Sequence, residues 1–230
     1  MARQIVNILE DLVSELSFTE KISAVTDNGT TSTITVCLTH HVRPCSTVSI
    51  DTIDYVVLSV VDNTSITVEG VIASAVEYTV AAPKYFHGTR IDTHAERSHL
   101  EMEDKVPAVY LWEIVREKFN REPDAYIERE SDLQIFFLDN ADYGESNDFR
   151  YTNSIDPMRN LANDFISLLE SKPALIGRLT NYDMVNHAIF GIFKRDEGHV
   201  DNFFGGEQLS GVELSITLPI LKDLNCRNCN

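Results

Sequence analysis

The sequence predicts an α+β protein: an N-terminal helix, a small all-β barrel or sandwich module, then an α+β domain with one helix packed on a mostly antiparallel sheet. Three observations carry this expectation. Apolar residues recur with a helical period over residues 4–18, and with a period of two between Lys21 and about Val80. Beyond Pro107, extended segments flank a single helical stripe. At 230 residues, 43% hydrophobic and 24% charged, the chain can bury the core of one domain and of a smaller one.

The first element rests on Ile5, Ile8, Leu9, Leu12 and Leu16, a stripe of period 3.6, with Glu10, Asp11 and Glu15 mainly off it. Such a helix (1–20 with its flanks) lies on a sheet or on a neighbouring subunit. Residues 21–80 then read as five short strands rich in Val, Ile and Thr: Ser23–Thr26, Thr33–Thr39, Thr47–Ile50, Asp54–Val61 and Ser65–Gly70. Asp27-Asn28-Gly29 and Asp62-Asn63-Thr64 supply the turns. Residues 81–106, with Pro83, Gly88 and the polar run from Arg90 to Lys105, read as an exposed linker or arm.

In the second domain (107–222), Ala108–Val115 and Leu133–Leu138 are expected strands. Pro157, after the capping Asp156, is placed to open a helix carrying Met158, Leu161, Ala162, Phe165, Leu168 and Leu169, and Pro173 stops it. Ala174–Leu179 and Met184–Phe193 read as extended. Val212, Leu214, Ile216 and Leu218, alternating with Glu213, Ser215 and Thr217, mark a half-buried strand. Residues 223–230 are expected to form a flexible C-terminus.

Nineteen Lys plus Arg against 36 Asp plus Glu leave a net charge of −17, of which −7 falls in 1–80 and −10 in the remainder. No basic stripe exists to displace counterions from phosphate, which argues against gripping nucleic acid or an anionic membrane. The apolar runs stay short of the roughly 18 residues that span a bilayer, and the N-terminus is a poor secretory signal. Four cysteines make no disulfide scaffold and are expected to be reduced. The glycosylation patterns at Asn28 and Asn63 are then without consequence.

Cys226-x-x-Cys229 has the spacing of a zinc knuckle, and Cys37 and Cys45 bracket His40 and His41. A cytoplasmic zinc-binding enzyme or regulator using Cys37, His40, Cys45, Cys226 and Cys229 is therefore the alternative functional reading. The bland one makes Cys37 a strand residue, Cys45 part of the Pro44 turn, and the tail frayed. His94 and His99, with Glu96, Glu101, Glu103 and Asp104, lack zincin spacing and read as a solvated arm. Nucleophile-elbow, Walker and dinucleotide motifs are absent from the sequence. Gly205-Gly206 reads as a flexible loop, and the acidic pairs Glu128/Glu130 and Asp139/Asp142 as a solvated face. No catalytic, cofactor or metal residues are assigned, and the expectation is a protein that is not an enzyme.

Aromatic pairs are more informative. Tyr85-Phe86, Phe136-Phe137, Phe149-Arg150-Tyr151 and Phe203-Phe204 lie near strand ends and loops. Neighbours along a strand point to opposite faces, so one of Phe136 and Phe137 must be covered by a second layer or by a partner.

The order of elements closes on a resemblance. A short amphipathic helix, Pro107-Ala-Val-Tyr-Leu-Trp-Glu, Leu133-Gln-Ile-Phe-Phe-Leu-Asp, one helix at Pro157–Leu169 and the terminal Leu209-Ser-Gly-Val-Glu-Leu-Ser-Ile-Thr-Leu-Pro-Ile together resemble the tail-terminator and head–tail connector (neck) proteins of tailed bacteriophages. The pattern is also similar to uncharacterised virion proteins of phages infecting Bacteroidetes, crAss-like phages among them. Val48–Val61 with Ser65–Gly70 is similar to small β-modules that decorate such proteins. The resemblance covers about half the chain, in element order rather than in a diagnostic motif, and the barrel departs from compact tail terminators. It implies a ring-forming virion subunit, without catalytic residues, that contacts neighbouring neck, portal or tail proteins while the genome passes through the lumen. In that setting unneutralised acidic groups would repel DNA over roughly a Debye length, ~8–10 Å; solubility alone is the plainer use of the charge. The first helix, the 81–106 arm and the loops at 140–153 and 196–208 are the expected contacts.

Overall fold

The computed structural model describes residues 4–89, 99–100, 105–112, 115–120, 127–141, 144, 146–190, 192–194, 200–202 and 208–221. Helix α1 (Ile5–Ser14) is followed by six strands, β1 (Phe18–Asp27), β2 (Thr31–Val36), β3 (Thr47–Ile50), β4 (Ile53–Val61), β5 (Ser65–Glu69) and β6 (Glu77–Val80). These close into a barrel of order β1-β2-β5-β4-β3-β6, antiparallel at every pairing. The small all-β module is thus a barrel, and the strand missing from the sequence reading is β6. Closure depends on β1 serving two partners: Phe18–Lys21 pair with β6, while Ile22–Asp27 pair with β2 across an irregularity at Ile22/Ala24.

The period of two fills the barrel. Ile34 and Val36, Val48 and Ile50, Ile66 and Val68, and Tyr78 and Val80 point inward and are buried with Val42, Val57 and Ile72. At one end the buried Ser32 hydroxyl donates to Gly70 O (3.0 Å) and accepts from Ile72 N–H (2.8 Å). The Asp27 carboxylate accepts from Gly29 N–H (2.7 Å), and Gly29 adopts φ +93°, the left-handed geometry this turn needs.

The second part contains β7 (Lys84–Gly88), β8 (Ala108–Trp112), β9 (Arg116–Phe119), β10 (Ile127–Asn140), α2 (Asn147–Arg150), a π-helical turn at Tyr151–Ile155, α3 (Asp156–Glu170), β11 (Tyr182–Phe190), β12 (Ile192–Lys194), β13 (Val200–Asn202) and β14 (Leu209–Leu221). The main sheet runs β11-β14-β10-β8-β7, antiparallel except for the β7–β8 pair; β12 and β13 pair separately. β9 continues the pairing of β8 on the same edge of β10, with Leu111 opposite Ile135 and Arg116 opposite Asp132.

Three local expectations need correction. Within 81–106, Lys84–Gly88 is a strand of the sheet rather than part of an exposed arm: Phe86 is buried and the segment hydrogen-bonds alongside β8. The helix expected from Asp156 begins at Asn147, capped by Ser146, whose hydroxyl accepts from Phe149 N–H (3.2 Å). Pro157 lacks an N–H and its ring crowds the preceding turn, and the π-helical turn just before it absorbs that conflict without ending the helix. Ala174–Leu179 forms no strand; it pairs with the sheet at one bridge, Ile176 to Ile220, and packs Leu175, Ile176 and Leu179 against the core.

The largest core lies on one face of this sheet. Val109 and Leu111, Leu133, Ile135 and Phe137, and alternate residues from Val212 to Ile220 meet α3 and, equally, Ile5, Ile8, Leu9, Leu12, Val13 and Leu16. Helix α1 therefore packs in its own chain's core, and its apolar stripe is not available to a neighbouring subunit. The barrel is consequently an insertion between the first helix and the first strand of the domain that helix completes. Phe137 meets Phe165 of α3 at 5.7 Å, whereas Phe136 enters a second cluster on the other face with Tyr110, Phe86, Leu138, Phe190 and Leu209. The covering layer required for Phe136 belongs to this chain.

Candidate functional site at the junction of barrel and helix

A dense group of charged and polar side chains sits where the β2–β3 loop (37–46) meets α3. His40 adopts φ +48°, a strained geometry for a side chain with a Cβ, and a turn closed by Val42 N–H to Thr39 O (3.0 Å) presents the ring to the helix. Its Nδ1 lies 3.1 Å from Asp164 Oδ2 of α3, and its Nε2 lies 3.2 Å from Glu20 Oε1 of β1. Phe18 stacks on the imidazole with ring centroids 4.0 Å apart and planes 7° from parallel. The His40 side chain is 8% exposed. Burial draws its pKa down, but the bonds to Asp164 and Glu20 outweigh that, leaving it above the ordinary 6.5.

The surrounding contacts fix this loop on both sides. Asn160, one turn before Asp164 on α3, donates from Nδ2 to His40 O (3.2 Å) and to Asp62 Oδ1 (3.5 Å). Thr39 donates its hydroxyl to Asp62 Oδ1 (2.9 Å) and accepts from Asn63 N–H (3.1 Å). The Tyr78 hydroxyl donates to Leu38 O. Arg43 Nε pairs with Asp139 of β10, whose carboxylate is buried and, desolvated despite that guanidinium, sits above the ordinary carboxyl range. His41, 3% exposed, donates from Nε2 to Ala81 O (3.2 Å), and among the described residues its Nδ1 has no hydrogen-bond partner. Burial pushes its pKa down to about 4, so it is neutral.

Among the described residues the zinc-type donors are not brought together. Cys37 and Cys45 are exposed free thiols, and both nitrogens of His40 are taken by carboxylates, so His40 leaves the donor set. Among the described residues no group of three or more His, Cys, Asp or Glu could hold a metal ion. Cys226, Cys229, His94, Glu96, Glu101, Glu103 and Asp104 lie outside the described residues, as do Asp142, Gly205-Gly206, Phe203-Phe204 and the tail at 223–230. Asp139 is the opposite of a solvated acid: it is 1% exposed in the junction.

A second polar group occupies the outer face of the sheet. Glu213 accepts from Gln134 Nε2 (2.7 Å) and meets His187 Nε2 at 2.9 Å, beside Phe136 and Phe190. These contacts satisfy one another across three strands and present no nucleophile.

Glu20, Asp164 and Asn160 are not legible in the sequence as partners of His40, nor is Asp139 as the partner of Arg43. The 124 residues separating His40 from Asp164 leave no local trace. The only available hint was Asn160 and Asp164, four apart on the polar side of a helix. Comparison with protein-family models, with curated proteins and with solved structures finds no match. Among the described residues no helix is long and apolar enough to cross a membrane.

Proposed function

We propose that this chain is a non-enzymatic virion protein, a ring-forming subunit at the neck or tail terminus of a tailed phage, joining head and tail around the DNA channel. The observation that carries the reading is strand β11. It is the terminal strand of the main sheet, and among the described residues its outer edge pairs with no strand. It exposes Tyr182, Val185 and Ile189 by 46%, 50% and 47%. Edge strands are ordinarily shortened, charged or covered; a nine-residue edge carrying apolar side chains is built to receive another chain. If a copy adds there by a rotation that closes, the product is a ring.

Supporting features point the same way. β4 of the barrel presents Ile53, Val56, Leu58 and Val61 outward, each 45–58% exposed, a second surface for a neck, portal or tail neighbour. The net charge of −17 suits a lumen through which DNA passes without sticking. The phage setting rests on the resemblance in element order.

The test is direct. Purified full-length protein is imaged by negative stain and sized by sedimentation, and intact particles are searched for it by mass spectrometry. Closed rings and a virion peptide set are the expected results. A strictly monomeric protein at high concentration, absent from particles, would end this reading.

A further inference from the structure

His40 joins the barrel to the sheet domain beside the Asn160 contacts and the Arg43–Asp139 pair. Glu20 belongs to β1 of the barrel and Asp164 to α3 of the sheet domain, and the imidazole lies between them at 3.2 and 3.1 Å. An ionised carboxylate only accepts hydrogen bonds, and a neutral imidazole has one N–H. Both contacts are satisfied together only by the doubly protonated ring. Phe18 stacks on that ring, 4.0 Å between centroids.

We propose that His40 is a pH-sensitive latch between the barrel and the sheet domain: the imidazolium ties β1 to α3, and loss of its proton leaves one carboxylate unanswered and lets the inserted barrel shift on the helix. This inference is independent of the assembly reading above.

Titratable and charged groups face His40 from several elements. From β1 comes Glu20, from α3 Asp164, from its own loop His41 and Arg43, from β6 Tyr78, and from the β4–β5 turn Asp62. His41 is already neutral well below pH 6.5. Arg43 is engaged by Asp139 on the far side. Tyr78, desolvated and near Glu20 and Asp164, is held protonated far above its ordinary range. Asp62 is occupied by Thr39 and Asn160. The sign follows from a folded pKa above 6.5: the tie is complete below pH 6.5 and is lost as pH rises through the folded value.

Two measurements on the full-length chain test the latch. Histidine-labelled protein, with the His40 resonance assigned by His40→Gln, gives the midpoint of the imidazole titration from pH 5.5 to 9.5. Single-molecule energy transfer between dyes on Glu69→Cys in the barrel and Ser167→Cys on α3, in a chain whose native cysteines are replaced by serine, follows the barrel at concentrations where each molecule is alone. The expected result is a His40 midpoint above 6.5 and a transfer change with the same midpoint. Asp164→Asn should move both midpoints down together, by about tenfold or more in proton affinity. A His40 midpoint at or below 6.5, or a transfer efficiency unmoved while His40 titrates, overturns the proposal. Should Asp164→Asn fail to fold, the paired midpoints of the parent chain decide alone.

Discussion

Arg43 of the barrel loop and Asp139 of β10 form an ion pair in which the carboxylate is 1% exposed and the guanidinium side chain 12% exposed. Removing one partner of such a pair strands the other in a medium that solvates it poorly. Arg43→Ala is expected to destabilise the protein by ~3–5 kcal/mol, measured by denaturant unfolding. Asp139→Asn should cost less. Desolvation already holds that carboxyl above its ordinary range, so its charge is a burden at neutral pH that the amide does not carry. Equal losses for both variants would show that the pair does not govern the junction.

His41 gives a pH dependence of opposite sign to that of His40. Its folded pKa of about 4 lies below 6.5, so the unfolded chain binds the extra proton first as pH falls. Stability attributable to neutral His41 is present above pH 6.5 and declines toward pH 4. Comparison with His41→Gln by chemical denaturation at pH 7 and pH 4.5 should show the parent losing more on acidification, by up to ~3 kcal/mol over the whole window. Parallel losses in the two proteins would count against a buried neutral ring.

Local periodicity made most of the architecture legible, and the places where it failed are instructive. The stripes of α1 and α3 and the alternation in β2, β5 and β14 each come from a face pressed on one core, so they read directly. β6 did not, because Glu77–Val80 is four residues long and its place is set by partners at Phe18–Lys21 and Ser49–Ile50. β7 was hidden for the same reason: its role depends on a parallel neighbour at Ala108–Trp112. The early start of the α2–α3 helix was masked by Pro157, which ordinarily marks a first turn. The junction was legible only as Asn160 and Asp164 on one side of a helix, since Glu20, His40, Asn160 and Asp164 meet only once the barrel docks. Cys37 and Cys45, conspicuous in the sequence, are exposed and take no part in it.

Gly211 sits in β14 between β10 and β11, and a Cβ there would lie 1.9 Å from the backbone oxygen of Phe137. Backbone cannot yield as a flexible side chain would. Gly211→Ala should destabilise by at least ~2–3 kcal/mol or force a local break in the β10–β14 ladder, seen as lost amide protection at Phe137 and Leu138. A neutral substitution would mean that the two strands are less closely apposed than described.

Val185→Lys, half-exposed on β11, separates assembly from folding. The side chain leaves no core, so thermal unfolding should stay within about 0.5 kcal/mol of the parent. Ring formation, read by sedimentation, should be lost or weakened at least tenfold. Undiminished assembly would move the contact elsewhere, with β4 the next surface to probe.

Phe165→Ala would open a void beneath Phe137 in the largest core, and a loss of ~3–5 kcal/mol is expected from thermal or denaturant unfolding. A loss below 1 kcal/mol would contradict the packing of α3 on the sheet.

The insertion of the barrel after α1 sets an order of events during synthesis. At ~5–20 residues per second, α1 emerges many seconds before β10 and β14, the strands that bury its leucines and isoleucines. Throughout that interval the barrel can complete itself on the ribosome, while the helix behind it waits with a wet apolar flank. A nascent chain of this design has reason to recruit a holding chaperone at that helix, and folding of the sheet domain is bound to be the late step, waiting on β10 and β14.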